Sequence, residues 1–241
     1  MRSLNGEVAV VTGGTSGIGA ACVRALADAG MMVVYGGRRE ERLNQIQSEL
    51  GKERAIPVRM DVRSPTDSVR LVDKALATFG RVDALVASAG TGAYGSILDH
   101  SDDTLATMID TNVSGTIWPV RAVLPSMLSS GRGGDILVIA SVAGLRGGAN
   151  EAVYAATKFA QVGLAGALDR ELAPKGIRVT TLCPAGTRTE FAMGYGRSSG
   201  MPGLEDMLDP RDIAMAALTV LRQPRRMRTQ LWSMWSMSEV G

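Results

Sequence analysis

Tyr154 and Lys158 stand four residues apart in EAVYAATKFA, and Ser141 lies thirteen residues before the tyrosine in ILVIASVAG. Positions i and i+4 of a helix share a face, so the lysine ammonium is expected beside the phenol. A free phenol has a pKa near ~10, and a neighbouring cation lowers it toward the range of proton exchange at neutral pH. Ser141, at the end of a separate apolar run, is expected to hold a substrate oxygen against that hydroxyl. A YxxxK alone is a common pattern on amphipathic helices. What surrounds this one decides its meaning.

The trio needs a strand and a helix to present it, and the chain supplies both repeatedly. Short runs rich in Val and Ile read as buried strands: Val8–Val11, Met32–Tyr35, Ile56–Met60, Ala84–Ser88, Ile136–Ala140 and Ile177–Leu182. Helical patterns fall between them at Ile18–Ala29, Glu40–Leu50, Thr66–Phe79, Asp103–Ser129 and Glu151–Ala173. This alternation predicts βαβ units with right-handed crossovers, hence an α/β fold whose parallel sheet is covered on both faces. Pro119 and Pro125 each remove an internal hydrogen bond and predict a bend within Asp103–Ser129. Thr187–Asp209 carries four glycines and little periodicity, so a functional loop is expected at about 187–209. The terminal LWSMWSM reads as a last strand with apolar residues on both faces. An edge strand of that kind predicts a subunit interface.

Composition sets the bounds. The 241 residues fit one α/β domain spanning 1–241, and 45% hydrophobic with 21% charged residues is ordinary for a globular chain. A net charge of +2 gives no reason to invoke nucleic acid, and the basic clusters are short. The sole histidine, His100, leaves too little for a histidine-based metal site or a Ser-His-Asp triad, so no metal is expected. Cys22 and Cys183 belong to no CxxC and are expected as reduced thiols. No apolar run approaches the ~18 residues of a membrane span, and the first residues lack a signal peptide's apolar core. Cytoplasm is the expected compartment.

VAVVTGGTSGIGAACVRALADAG reads strand, turn, helix, the context a phosphate-binding loop requires. Unpaired amides at a helix N-terminus carry partial positive charge and hold a pyrophosphate. Gly13 allows the turn, and Gly17 and Gly19 allow close approach of backbone to ligand. The second strand ends Tyr35-Gly36-Gly37-Arg38-Arg39, with no carboxylate to bond adenosine ribose hydroxyls. Guanidinium pairs with phosphate through two parallel bonds, so Arg38 is the expected ligand of a 2′-phosphate. Arg39 is either a second such ligand or the start of a solvated helix. The expected cofactor is NADP(H).

With these residues assembled, the chain resembles the short-chain dehydrogenases/reductases of the single-domain, Rossmann-like type, and the resemblance covers nearly its whole length. Thr12-Gly13-x3-Gly17-x-Gly19 is similar to that family's cofactor loop, which includes Thr15, Ser16 and Ile18. Asp61-Val62 is similar to its adenine contact. Asn112 in IDTNVSG, with Ser141, Tyr154 and Lys158, is similar to its catalytic set. Pro184, Thr187 and Thr189 in LCPAGTRTEF resemble the segment that embraces the nicotinamide. Two departures stand out: Ala87-Ser88-Ala89-Gly90 replaces Asn-Asn-Ala-Gly, and Pro184-Ala185 replaces Pro-Gly.

The resemblance implies a reversible reduction of a ketone or aldehyde to an alcohol. Hydride comes from the nicotinamide, the proton from Tyr154, and Lys158 also binds the ribose. Asn112 is implied to hold a water that passes protons to Lys158. A small-molecule carbonyl or alcohol substrate and a homotetramer or homodimer follow from the same resemblance. An extended-type epimerase or dehydratase would need an added substrate domain that 241 residues do not accommodate. A non-enzymatic NADP(H)-binding sensor on the same fold has less reason to keep all four catalytic residues. Arg146 and Arg188 flank the expected pocket, either as ligands for an anionic substrate group or as solvated surface.

Overall fold

The computed structural model describes residues 1–239 and contains a seven-stranded sheet. In chain order the strands are β1 (Val8–Thr12), β2 (Met32–Gly37), β3 (Ala55–Arg59), β4 (Ala84–Ala87), β5 (Gly134–Ile139), β6 (Ile177–Pro184) and β7 (Leu231–Met234). They lie side by side as β3-β2-β1-β4-β5-β6-β7, every neighbouring pair parallel. β1 and β4 are buried along their whole length, and for that reason their sequences run apolar instead of alternating. From central β1 the chain winds outward to β2 and β3, then crosses back to β4. The carboxyl ends of β1 and β4 therefore feed loops that diverge, and a crevice opens between them.

Helices α1 (Gly17–Asp28), α2 (Glu40–Leu50) and α7 (Pro210–Leu221) belong to one face, where Val23, Leu26, Ile46, Ile213 and Leu221 join the core. Helices α3 (Pro65–Phe79), α5 (Gly115–Ser129) and α6 (Ala152–Leu172) cover the other with Leu71, Val123, Met127 and Leu172. This is the Rossmann-like doubly wound arrangement. Helix α7 was not assigned from the sequence, although its start is written there. Asp209 caps it, Pro210 takes the first helical position, and the Asp209 amide donates to the Asp212 carboxylate at 2.8 Å.

The stretch expected as one proline-bent helix is interrupted elsewhere. α4 (Asp102–Ile109) passes into a single π turn at Asp110–Ser114 and then into α5, with Pro119 and Pro125 both inside α5. The break centres on Asn112, not on the prolines. A π turn inserts a residue and displaces a backbone carbonyl from the regular ladder. Here the Asn112 carbonyl accepts instead from the Thr116 hydroxyl at 2.7 Å and the Gln161 amide at 2.9 Å. Side chains from two elements thus stabilise the irregular turn.

At the amino end of the sheet, Asp135 opening β5 binds Arg178 of β6 at 2.6 Å, and both are buried. The same carboxylate receives Arg225 at 2.8 Å and Arg2 at 2.9 Å. These pairs tie Arg2 and the segment between α7 and β7 to β5 and β6.

Candidate active site

Two loops meet where the sheet order switches. Gly13 has φ +68°, and a Cβ there would sit 2.7 Å from the Ala89 Cα; a Cβ on Gly19 would lie 2.3 Å from the Gly13 carbonyl oxygen. Only glycine lets the β1 turn lie this close to the β4 loop and to its own helix. The amide side chains missing from Ala87-Ser88-Ala89-Gly90 are replaced by a hydroxyl. Thr12 Oγ1 accepts from the Ser88 amide at 3.2 Å and the Ala89 amide at 3.3 Å.

A cavity of about 820 Å³ runs from these loops along the carboxyl edge of the sheet. One end is walled by the glycine turn, with Gly13, Thr15, Ser16, Gly17, Ile18 and Gly19. Arg38, Arg39, Asp61 and Val62 extend that wall, and Ala89 and Gly90 line the middle. Pro184, Thr187 and Thr189 form the opposite side, and Ser141, Tyr154 and Lys158 close the far end. A second hollow, of about 650 Å³, lies behind the glycine turn toward Arg24 and Arg42 and holds none of these far-end groups.

The adenosine end has a definite charge pattern. Among the described residues Arg38 makes no ion pair, whereas Arg39 and Arg42 share the Glu190 carboxylate at 2.8 and 2.5 Å. Those two guanidinium groups hold Glu190 down to a pKa of about 2. The pairing leaves Arg39 in part occupied and pins the loop after β6 to α2. Asp61 lies opposite Arg63 at 2.6 Å, whose guanidinium lowers its pKa. A Cβ at Gly37 would come within 2.4 Å of the Thr15 methyl, so a longer side chain at that strand end has no room.

At the far end Tyr154, Lys158 and Ser141 are all buried, and the Lys158 Nζ lies 5.7 Å from the centre of the Tyr154 ring. Ser141 Oγ accepts the Ala143 amide at 3.1 Å and caps the short turn 142–144, which fixes the hydroxyl at the mouth of β5. Burial raises the Tyr154 pKa above that of a free phenol, and the hydrogen bond from Ser141 only partly offsets it. The Arg197 guanidinium also lowers it, by less than Ser141 does, and desolvation outweighs both. Burial also acts on Lys158 and lowers its pKa to about 7. Its nitrogen donates to the Ile139 carbonyl at 3.1 Å and to Gln161 Oε1 at 2.8 Å. An ammonium has three donors, so one remains on the cavity side.

Asn112 is placed differently from the expectation. It is fully buried and absent from the cavity wall, where its neighbour Thr111 stands. Its carboxamide is spent on backbone and side-chain partners: Oδ1 accepts from the Thr91 amide at 2.8 Å, and Nδ2 donates to the Thr91 carbonyl at 2.8 Å and Thr157 Oγ1 at 2.9 Å. It clamps the β4 loop to α6. Its backbone carbonyl accepts from Thr116 and Gln161.

Tyr94 and Phe191 surround the Tyr154 ring at 5.8 and 5.5 Å between centroids, an aromatic wall for a substrate. Arg188 is bound to Glu205 and Asp209 at 2.5 and 3.0 Å and does not line this cavity. Arg146 does line it, with its guanidinium 4.8 Å from the centre of the Trp235 ring. Arg197, unmarked in the sequence, joins it from the loop after β6. Gln161 also went unnoticed, though it sits three residues past Lys158, a spacing that shares a helix face.

A family model described as short chain dehydrogenase matches residues 7–199. An uncharacterized oxidoreductase of Staphylococcus aureus is 36% identical over 224 residues, 93% of this chain and 94% of that protein. An alcohol dehydrogenase of the archaeon Thermococcus sibiricus, solved with 5-hydroxy-NADP, superimposes with a TM-score of 0.88 at 31% identity over 98% of both chains. A 3-ketoacyl-(acyl-carrier-protein) reductase of Brucella melitensis, solved with NADH, gives 0.90 at 29% identity over 99% of this chain and 100% of that one.

Proposed function

The chain belongs to the short-chain dehydrogenase/reductase family of oxidoreductases, and from that premise we propose that it reduces a ketone or aldehyde reversibly, with NADPH as its preferred cofactor. The observation that carries this reading is one cavity with a glycine turn and Arg38, which has no ion-pair partner among the described residues, at one end and Ser141, Tyr154 and Lys158 at the other.

The residues fit a nicotinamide dinucleotide on physical grounds. Gly13 and Gly17 have positive φ and keep the turn free of side chains where a pyrophosphate would lie. Thr15 fills the space that an acidic residue at position 37 would need, and Arg38 follows without a carboxylate partner, which supports a 2′-phosphate over a bare ribose. Asp61 and Val62 would flank the adenine, Lys158 the nicotinamide ribose, and Pro184, Thr187 and Thr189 the nicotinamide. When bound, the reduced ring supplies a hydride to the carbonyl carbon.

The protein's part is proton chemistry at the carbonyl oxygen. Ser141 Oγ orients that oxygen toward the Tyr154 hydroxyl, and Tyr154 gives its proton to the developing alkoxide. A phenol whose pKa is raised by burial is protonated before the reaction begins, as a donor must be. Lys158 stabilises the phenolate that remains. Tyr94 and Phe191 exclude water from the transfer, and Arg146 offers a positive charge for an acidic substrate group.

The two departures from the family pattern leave these groups untouched. Leu231 and Trp232 of β7 are exposed on an edge strand, which supports an assembly of two or four copies. Size exclusion with light scattering tests that part, and a monomer would remove it. The central test is NADPH oxidation followed at 340 nm against aldehydes, ketones, keto acids and sugars, with NADH in parallel. Turnover of a carbonyl with NADPH preferred is the expected result. Cofactor binding without turnover of any carbonyl in such a panel would favour a sensor.

A further inference from the structure

A closed set of hydrogen bonds lies behind Lys158. Gln161 is entirely buried, yet all its polar atoms have partners. Oε1 accepts from Lys158 Nζ at 2.8 Å, and Nε2 donates to the Asn112 carbonyl at 2.9 Å and to Thr116 Oγ1 at 2.7 Å. Thr116 in turn donates to the same Asn112 carbonyl at 2.7 Å. The carboxamide therefore spans the gap between the ammonium and the π turn, the place where the family resemblance implied a water.

We propose that Gln161 is a positioning residue for Lys158, holding the ammonium against the π turn in place of solvent. This rests on the reading that Lys158 serves Tyr154. An amide differs from water in two ways that matter. Its orientation is fixed, because Nε2 has only acceptors before it and so Oε1 must face the lysine. It also does not rotate to pass a proton from one neighbour to the next. Protons that return to Tyr154 after turnover then enter from the cavity mouth, not through the interior between α5 and α6.

Few charged groups compete for control of Lys158. Tyr154 on α6 and Cys183 on β6 are its titratable neighbours, and burial raises the Cys183 pKa to about 11, so that thiol is neutral. Asp110 of the π turn is exposed and drawn toward Arg63, and Asp102 and Asp103 of α4 are exposed. The short turn 142–144 and the end of β5 offer no charge. A neutral acceptor bonded to the charged lysine favours the ammonium.

The chain has four lysines, so carbon-13 labelled lysine in the whole protein gives four resonances to titrate, with Lys158 assigned by its loss in Lys158→Met. In Gln161→Met, which keeps the shape and removes the acceptor, the Lys158 midpoint should fall by about one pH unit. In Gln161→Glu it should rise, since a carboxylate favours the ammonium more than an amide does. Circular dichroism establishes that each variant is folded. With a turned-over carbonyl in hand, the pH profile of kcat should move in the same two directions while KM for the cofactor changes little. An unmoved midpoint in a folded variant of either kind overturns the proposal. Failure to find a substrate would instead strike the reductase reading and leave the lysine titration intact as a test.

Discussion

Each end of the central sheet buries a cation, and the two are held in opposite ways. At the amino edge Arg178 meets the Asp135 carboxylate at 2.6 Å, with backbone carbonyls of Gln223, Pro224 and Met227 at 3.0 to 3.2 Å as further acceptors. At the carboxyl edge Lys158 has only neutral acceptors, the Ile139 carbonyl and Gln161. A buried charge with a carboxylate partner is compensated within the fold, and its place in the molecule is structural. A buried charge without one is left at the expense of stability, and it has a use for the donor that remains. The first end is built to be finished at folding; the second is completed by what binds.

The largest expected effect breaks the first end. Asp135→Leu strips the carboxylate from three guanidinium groups and leaves Arg178 buried beside only carbonyls. Loss of one partner of a buried pair costs about 3–5 kcal/mol, so the melting temperature should drop by about 10 °C or more. Cofactor binding to the remaining folded protein should be unchanged, since the change lies at the opposite edge of the sheet. A melting temperature within a degree or two of wild type would remove the contrast between the ends.

Tyr154→Phe acts at the second end with the reverse signature. Removing the proposed proton donor should lower kcat by about 10³-fold. NADPH binding, read by nucleotide fluorescence, should persist and the melting temperature should barely shift. Substantial residual turnover would mean that another group is the acid. Arg38→Gln comes next, at the adenosine end of the same cavity. A charge-assisted pair is worth about 1.5–3 kcal/mol, so KM for NADPH should rise about tenfold to a hundredfold while that for NADH changes little. The same change at Arg39 should do less, because Glu190 already shares that guanidinium.

The two ends were also unequally legible. Buried strands declared themselves as Val and Ile runs, and four of the five expected helical stretches fell within a residue or two of the observed helices, because continuous burial writes a continuous apolar signal. Tyr154, Lys158 and Ser141 were readable for the same reason, being fixed to regular elements at known spacings. The π turn was not, since proline is a local breaker that the sequence displays, whereas the pull on Asn112 comes from Thr91 in the β4 loop and from Thr157 and Gln161 on α6. Gln161 had only its helical spacing to mark it. Glu190 and Arg197 lie in the loop after β6, where nothing in the local pattern says which wall of the cavity a side chain will join. The effect of burial on Tyr154 was invisible as well, because a spacing reports proximity and not solvent.

The sharpest form of the comparison is a pH dependence. An ordinary lysine titrates near 10.5 and Lys158 near 7, so between those values the unfolded chain binds a proton that the folded one does not. Stability contributed through this group therefore rises as pH climbs from about 7 toward 10.5, and it is least at and below neutrality. Lys158→Met abolishes that slope. Its own cost, the loss of donors to Ile139 and Gln161, does not vary with pH in this range. In the absence of cofactor, the melting temperature of wild type relative to the variant should thus increase by a few degrees from pH 7 to pH 10. On the proposed reading, in which Lys158 binds the nicotinamide ribose, saturating NADPH should flatten the difference by holding Lys158 charged. A gap that closes with rising pH would mean that the lysine is as well compensated as Arg178, and the two ends of the sheet would no longer differ in kind.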